Sequence, residues 1–354
     1  MLPELGATFG VSASTATTSV TAYLLPFAAL MLVSGTYGER WGRRRTVAVG
    51  YGVYVLASLA CALAATWPLF LAARALQGAA NAFTTPLLLA ALASSVAPHR
   101  LGRALGWFGS LQSAGQTSAP LLGGLAAEVD WRWAFAGVAL VAALLGVAGI
   151  PPGAARTGRP SLRSAWRPDV LRLGLVAAVG WGCLAGLNFL VALRLEDAFA
   201  LSAGARGLVL TGLGVAGLLT ARLVGGGVDR IGARRSVLAG TGLGVAVVAG
   251  VGLAPAVGLV AAVWAVGGVA TQLVLVGVNA LVLGSGRANA GGATSVVQAV
   301  RFGGGALSPA AITPVYHLDP LAGFLVPAAL LAVVVPVALP RAGQAPSRAS
   351  TERA

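Results

Sequence analysis

The sequence contains no lysine, and only 10% of its 354 residues are charged. A soluble domain carries about 25% charged residues. Here 57% of the residues are hydrophobic, and the mean hydropathy is +0.85. A chain this apolar is typical of an integral membrane protein. The absence of lysine also excludes a Walker phosphate loop and a Schiff-base enzyme, because both need that amine.

Cysteine and histidine are almost as scarce. Cys61 and Cys183 lie within apolar runs, which argues against a disulfide framework and a zinc site. His99 and His317 fall in different gaps between those runs. We therefore predict no metal and no cofactor. The net charge of +14 comes from arginines that lie mostly in short gaps rather than on one solvated face, so we predict no nucleic-acid partner.

Long apolar runs fill most of the chain, and a spanning helix needs roughly 20 apolar residues. The runs predict an all-α polytopic membrane protein with eleven spans. They lie at 14–37, 46–66, 69–95, 102–126, 132–150, 171–193, 204–227, 236–254, 257–283, 289–313 and 320–340.

Arginine alternates between the gaps. One set of gaps holds clusters such as Arg43–Arg45, Arg156–Arg167 and Arg234–Arg235, whereas the alternate gaps hold mainly acids. Because cytoplasmic loops carry the arginine excess, we predict that the first set and the C-terminus face the cytoplasm of an inner (plasma) membrane.

The gaps also divide the chain into parts. Residues 1–150 are predicted to form an N-terminal helical bundle and 171–340 a C-terminal six-helix bundle. The Pro-, Gly- and Arg-rich stretch 151–170 reads as a cytoplasmic linker. The polar stretch 341–354 is predicted to be a disordered tail.

A short charged frame occurs twice, 190 residues apart. GTYGERWGRRR begins at Gly35, and GGGVDRIGARR begins at Gly225. Both contain an acid four residues after the first glycine, then an arginine and a further glycine. The repeat indicates an internal duplication in which each half carries the same tight basic turn. We expect each acid to lie against a neighbouring helix N-terminus, where the dipole favours negative charge.

At these residues the chain resembles the major facilitator superfamily of secondary transporters, whose signature loop reads Gly-x-x-x-Asp-Arg-x-Gly-Arg-Arg/Lys. Glu39 departs from the usual Asp. The resemblance implies two six-helix bundles, and two loops that hold the outward-facing state shut on the cytoplasmic side. The gating-loop residues are Gly35, Glu39, Arg40, Gly42, Arg43, Arg44, Gly225, Asp229, Arg230, Gly232 and Arg234.

Two further stretches resemble motifs of the twelve-helix drug/proton antiporters. RALQGAANA, from Arg74, resembles the fourth-helix motif. GQTSAPLLGG resembles the fifth-helix motif, with Ala119 in place of a glycine. Proline and glycine should bend that helix and admit a close neighbour. The residues concerned are Gly115, Pro120, Gly123 and Gly124.

The first helix of that fold has no counterpart in the sequence. A span of the second half begins 54 residues before Gly225, and the same offset in the first half falls before Met1. We therefore predict that MLPELGATFGVSAS is the outer loop after a first helix. A late start is favoured over a genuine eleven-helix protein.

Polar residues inside the spans mark the expected proton or substrate pathway, because transporters of this kind bind near the midplane. An alternative for Arg74 is snorkelling to water, and for each amide an interhelical hydrogen bond. The pathway candidates are Arg74, Gln77, Asn81, Gln112, Gln116, Asn188, Gln272, Asn279, Gln298 and Arg301.

The resemblance implies a monomeric transporter, not an enzyme, that exports small apolar or amphiphilic compounds across the lipid bilayer against proton entry. All ten carboxylates lie in loops, in the tail or at helix ends, however, and proton coupling needs a titratable group within the membrane. Two alternatives stay open. One is a metabolite or sugar facilitator of the same fold, and the other is a non-transporting remnant or membrane sensor.

Overall fold

The computed structural model describes residues 2–16, 18–149, 161–285 and 289–340. Every regular element in these ranges is a helix, as the sequence predicts. The helices are α1 (Leu2–Phe9), α2 (Ala13–Ala16), α3 (Thr18–Trp41), α4 (Arg43–Leu63), α5 (Trp67–Asn81), α6 (Thr85–Ser95), α7 (Leu101–Val129), α8 (Arg132–Ala148), α9 (Leu162–Ala165), α10 (Pro168–Gly182), α11 (Asn188–Asp197), α12 (Ala203–Ile231), α13 (Ala233–Leu253), α14 (Val257–Leu283), α15 (Ala290–Leu318) and α16 (Ala322–Ala338).

Helices occupy all eleven predicted spans. Within the described ranges, seven helical segments are long and apolar enough to cross a membrane, and α8 and α16 are shorter apolar helices. The linker prediction falls partly outside the described residues, and the tail prediction falls wholly outside them. The division into two domains at 151–170 stays a prediction.

The opening segment differs from the predicted loop, because residues 2–9 form helix α1. Its last residue, Phe9, packs against the rings of Trp67, Phe70 and Trp131 at centroid distances of 5.5–5.7 Å. Leu5 is fully buried in the same cluster. Burial of these apolar side chains stabilises a helix that the short sequence alone does not indicate.

Two predicted spans are interrupted near their middle. The span at 69–95 breaks between α5 and α6, just before Pro86. A proline lacks the N–H that would bond the carbonyl four residues earlier. That carbonyl, on Ala82, instead accepts a hydrogen bond from Ser34 Oγ at 2.6 Å. The span at 171–193 breaks between α10 and α11, where Ser308 Oγ donates to Gly182 O at 2.8 Å.

The repeated charged frame is mostly helical, and the tight turn predicted within it is shorter than the gaps at 38–45 and 228–235 between the predicted spans. α3 continues to Trp41, and α12 continues to Ile231. The reversal takes place at single glycines, Gly42 (φ 93°) and Gly232 (φ 89°). Only glycine adopts this φ without strain, so the turn is one residue long.

We call helices α1–α8 the N-terminal bundle and helices α10–α16 the C-terminal bundle. The hairpin at Gly42 belongs to the first and the hairpin at Gly232 to the second, and the two bundles meet side by side. Helix α7 packs along α12, and α3 packs along α15. We call the end of the molecule that carries these hairpins, with Arg43–Arg45 and Arg234–Arg235, the basic end. We call the far end of the molecule the opposite end.

Candidate functional site

Glu39 joins the two bundles at the basic end. Its Oε1 accepts a hydrogen bond from the backbone N–H of Gly291 at 3.0 Å, in the first turn of α15. The same oxygen accepts from Arg43 Nε at 2.9 Å and Nη2 at 2.7 Å. Arg43 also donates to Ala90 O at 3.1 Å. The longer Glu side chain therefore still places its charge at the positive end of a helix in the other bundle.

Asp229 makes the equivalent contact in the reverse direction. Its Oδ1 accepts from the N–H of Gly102 at 2.6 Å, and Oδ2 accepts from the N–H of Arg103 at 2.8 Å. Both donors lie in the first turn of α7. The residue that corresponds to Arg43 is Ala233, so this acid holds two backbone donors instead of one donor and an arginine. The acid-to-helix contact expected from the sequence is present in both halves.

Glycines let the paired helices approach closely beside each acid. A Cβ on Gly35 would collide with the carbonyl group of Gly291. A Cβ on Gly225 would collide with Gly102 O and lie 3.0 Å from the Cα atoms of Arg103 and Gly106. These obstacles are backbone atoms, which cannot rotate away, so the acids reach their donors only because the glycines have no side chain.

The remaining gating-loop arginines differ in their surroundings. The Arg40 guanidinium lies 5.7 Å from the Tyr37 ring. Arg234 donates from Nε to Pro340 O at 3.2 Å. Arg44 and Arg230 are exposed. Exposed arginines at this level can meet lipid phosphates, as expected of basic residues at a membrane surface.

An apolar layer beneath the acids seals the basic end. It is a buried cluster formed by side chains of both bundles. Its buried members are Leu89, Ala90, Leu101, Leu105, Val224, Val228, Val276, Ala280, Leu283 and Ala290. Burial of apolar side chains and the two acid-to-helix contacts therefore both stabilise the closed basic end.

The described contacts between the bundles reach from the basic end to about the middle of helix α7. The contact between α7 and α12 runs from Gly102 to Ser110, whose Oγ donates to Leu218 O at 2.9 Å. Farther along, Ser113 Oγ accepts from Gln272 Nε2 at 2.8 Å. Beside Gly115 no described atom lies within 4 Å of the Cβ position. The described contacts thus close the basic end of the structure.

A cavity of about 400 Å³ lies between α7 and the helices of the C-terminal half. Helix α7 contributes one wall, and α10–α12 with α14 contribute the others. Three of the predicted pathway residues line it, together with aromatic and small side chains. The lining includes Gln112, Ser113, Trp181, Asn188, Gly217 and Gln272.

Three other predicted residues line a narrow crevice that shares Trp181 with the cavity. They are Asn279, Gln298 and Arg301. The Arg301 guanidinium carbon lies 4.5 Å from the Trp181 ring centroid and 4.6 Å from that of Phe302. Arg301 is 11 residues from the start of α15, about 16 Å from the basic end at 1.5 Å per residue, close to half-depth.

Arg74, Gln77 and Asn81 form a separate network inside the N-terminal bundle. Arg74 donates from Nε to Ser19 O at 3.3 Å and also bonds Gln77 Oε1. Its guanidinium lies 4.5 Å from the Tyr23 ring centroid. Asn81 donates to the Tyr23 hydroxyl at 2.5 Å. The three residues belong to one network, but none of them lines the cavity between the bundles.

Part of the fifth-helix motif lies outside the described residues. This holds for the side chains of Gln116, Pro120 and Gly124. Helix α7 runs without interruption from residue 101 to 129, and Gly123 is half-buried. The described residues bring no close neighbour to Gly115. Bending and close packing at this motif stay predictions.

Asn289 is a contact residue that the sequence reasoning missed. Its side chain caps α15 by accepting from the N–H of Gly292 at 3.0 Å. It also donates to Thr36 Oγ1 in α3 and to Ser164 Oγ in α9, both at 3.0 Å. An Asn directly before an apolar run is an N-cap signal that was available in the sequence. Its contact across the bundles was not available there.

The comparison with known families gives one match that covers most of the chain. Residues 1–309 match the family model described as Major Facilitator Superfamily. Among curated relatives, an uncharacterized MFS-type transporter Rv1250 of Mycobacterium tuberculosis is 35% identical over 134 residues, 38% of this chain and 23% of that protein. The puromycin resistance protein pur8 of Streptomyces alboniger is 38% identical over 163 residues, 45% of this chain and 32% of that protein. Each alignment thus spans less than a third of the relative.

Solved structures share the fold over nearly the whole chain. The human organic anion transporter MFSD10 (TETRAN) superposes with a TM-score of 0.78 at 17% identity, covering 95% of this chain and 88% of that one. A bacterial homologue of the iron transporter ferroportin in the outward-facing state gives a TM-score of 0.72 at 20% identity, covering 95% and 91%. With the family match over residues 1–309 and an all-α fold of two facing bundles, the chain belongs to the Major Facilitator Superfamily.

Proposed function

We propose that the protein is a secondary transporter that exports small apolar or amphiphilic compounds in exchange for protons. The observation that carries the proposal is the cavity of about 400 Å³ between the bundles, which the apolar layer separates from the basic end. Rocking of the bundles about this cavity would expose it to each side in turn. If the basic end is cytoplasmic, the conformation is outward-facing.

The names of relatives support the substrate class. One relative is described as a puromycin resistance protein, and another as the drug efflux pump JefA of Mycobacterium tuberculosis, 33% identical over 136 residues. The cavity lining suits such compounds, since Trp181 and Leu213 offer apolar surface and Asn188 and Gln272 offer hydrogen bonds. No chemical step on the substrate is proposed.

Flux measurements on proteoliposomes test the proposal. We expect puromycin or 1-naphthoate to move when a pH gradient is imposed, and an uncoupler to stop the movement, because proton flow would drive the exchange. Liposomes without protein give the background. Flux of neither compound under a gradient would contradict drug/proton antiport.

A facilitator of the same fold is the second candidate, since no carboxylate occurs in the middle of a span. Arg74 separates the two candidates. In an antiporter whose fourth-helix arginine acts in coupling, Arg74→Lys should reduce gradient-driven flux about tenfold or more while exchange at equal pH persists. In a facilitator, the pH gradient should change the flux through neither the unmodified protein nor the Arg74→Lys variant. Arg235→Lys, an exposed arginine of the basic end, is the matched control.

A further inference from the structure

Arg301 is a buried charge without a counter-ion among the described residues. The residue is 2% exposed, and its Nε, Nη1 and Nη2 atoms make no hydrogen bond within the described part of the chain. The rings of Trp181 and Phe302 lie against the guanidinium and attract positive charge. Aromatic rings supply no oxygen acceptor, however, so the N–H donors stay unsatisfied.

Gln298 lies one turn before Arg301 and also lacks hydrogen-bond partners among the described residues. It is 1% exposed, and both its amide nitrogen and its amide oxygen lack a partner among the described residues. Both side chains line the same crevice. Natural proteins satisfy nearly all buried polar groups, because each unsatisfied one is destabilising. Two neighbouring exceptions at half-depth therefore point to a group that binds there.

The chemistry of the two side chains defines that group. A guanidinium offers several N–H donors in a planar fork that matches a carboxylate, and the amide of Gln298 adds one more donor. The group must be anionic, because only an anion also compensates the buried charge. A cation or a neutral apolar group would neither accept hydrogen bonds from these donors nor compensate the buried charge.

The crevice is too small for a whole ligand but adjoins a space that is large enough. Its volume is about 10 Å³, room for about one water molecule and so for a single carboxylate oxygen. Trp181, Thr271 and Leu275 line both the crevice and the cavity of about 400 Å³. A ligand can therefore lie in the cavity and direct one small polar group past Trp181.

We propose that Arg301 and Gln298 bind the carboxylate of an amphiphilic organic acid whose apolar part occupies the cavity between the bundles. This inference rests on the proposed function, because it names the substrate class of the same cavity. The N-terminal arginine network differs in this respect, since Arg74 already has Ser19 O and Gln77 as acceptors.

Three compounds with one ring system and different head groups test the assignment: 1-naphthoate, 1-naphthamide and 1-naphthylmethylammonium. Titration calorimetry on the full chain in nanodiscs measures each affinity, with empty nanodiscs as the blank. We expect naphthoate to bind about tenfold or more tightly than the amide, because charge-assisted hydrogen bonds are stronger than neutral ones. The ammonium compound should bind most weakly.

Variants locate the preference on Arg301. In Arg301→Gln the advantage of naphthoate over naphthamide should fall to about twofold or less, and Arg301→Lys should retain part of it. Arg194→Gln is the matched control, because Arg194 is a half-buried arginine of the same half that bonds Ala254 O and does not line the cavity. Its ligand preference should equal that of the unmodified protein.

Equal affinity for the three compounds would overturn the assignment, and so would unchanged naphthoate binding in a folded Arg301→Gln variant. The comparison of compounds on the unmodified protein decides the matter even if that variant does not fold. Binding needs no gradient, so the result is independent of transport. Selective naphthoate binding without gradient-driven flux would leave this site intact and contradict only the export proposal.

Discussion

Replacing Gly225 by alanine is expected to open the basic end. The added Cβ would meet the backbone of α7, at 3.0 Å from Arg103 Cα and in collision with Gly102 O. Overpacking of this kind costs about 1–3 kcal/mol, which changes a population ratio roughly 5- to 150-fold. The closed conformation bears this cost and the open one does not. Spin labels at the exposed positions Arg44 and Arg235 should report longer distances across the basic end.

Gly226 provides a matched control for this substitution. It is the next residue of the same helix, and a Cβ there would meet nothing within 4 Å. Gly226→Ala changes helix propensity as much as Gly225→Ala does, so it should leave the distance distribution unchanged. Equal distributions for the two variants would show that the close contact does not keep the end closed.

Removing the acid that caps α7 should have an effect of similar size. Asp229→Ala deprives the N–H groups of Gly102 and Arg103 of their acceptor and removes a negative charge from a helix N-terminus. Together these losses should destabilise the closed state relative to the open one by roughly 2–4 kcal/mol. Ala280→Cys, buried in the apolar seal, reports on opening. With Cys61 and Cys183 replaced, its reaction with a water-soluble maleimide should accelerate 10-fold or more.

The other acid should act on the same equilibrium. Glu39→Ala should accelerate the labelling too, because Glu39 caps α15 from the opposite bundle. Asp229→Asn, which keeps an oxygen acceptor, should show a smaller increase. Arg235→Ala, an exposed change in the same hairpin, should leave the rate unchanged. A rate in Asp229→Ala equal to that of the parent would contradict a closing role for the caps.

The sequence predicts the helices well because apolar length is a local property. All eleven predicted spans contain helix, and hydropathy alone locates them. The break after Asn81 has a local signal in Pro86, which the apolar run conceals. The break after Gly182 has no such signal, and its freed carbonyl bonds Ser308 of another helix. Helix α1 was missed for a similar reason, because its stability comes from packing against Trp67 and Trp131.

The site was predictable where a repeat made it visible. The acids at 39 and 229 were expected against helix N-termini, and the structure places both there. Which helix each one caps depends on the way the bundles meet, which no local pattern contains. The ten pathway candidates fall into an N-terminal network and the cavity with its crevice, except for Gln116, whose side chain is outside the described residues. The sequence does not distinguish the network from the cavity, because the same residue type, an amide within an apolar span, occurs in both.

Side-specific labelling tests the central claim that two equivalent basic hairpins lie on one side of the membrane and close that side together. Single cysteines would replace Arg44 and Arg234 in a protein without its native cysteines. Intact cells and permeabilised cells would then be treated with a membrane-impermeant maleimide. We predict that both positions are protected in intact cells and that both react after permeabilisation. Reaction of one position and protection of the other in intact cells would contradict the account.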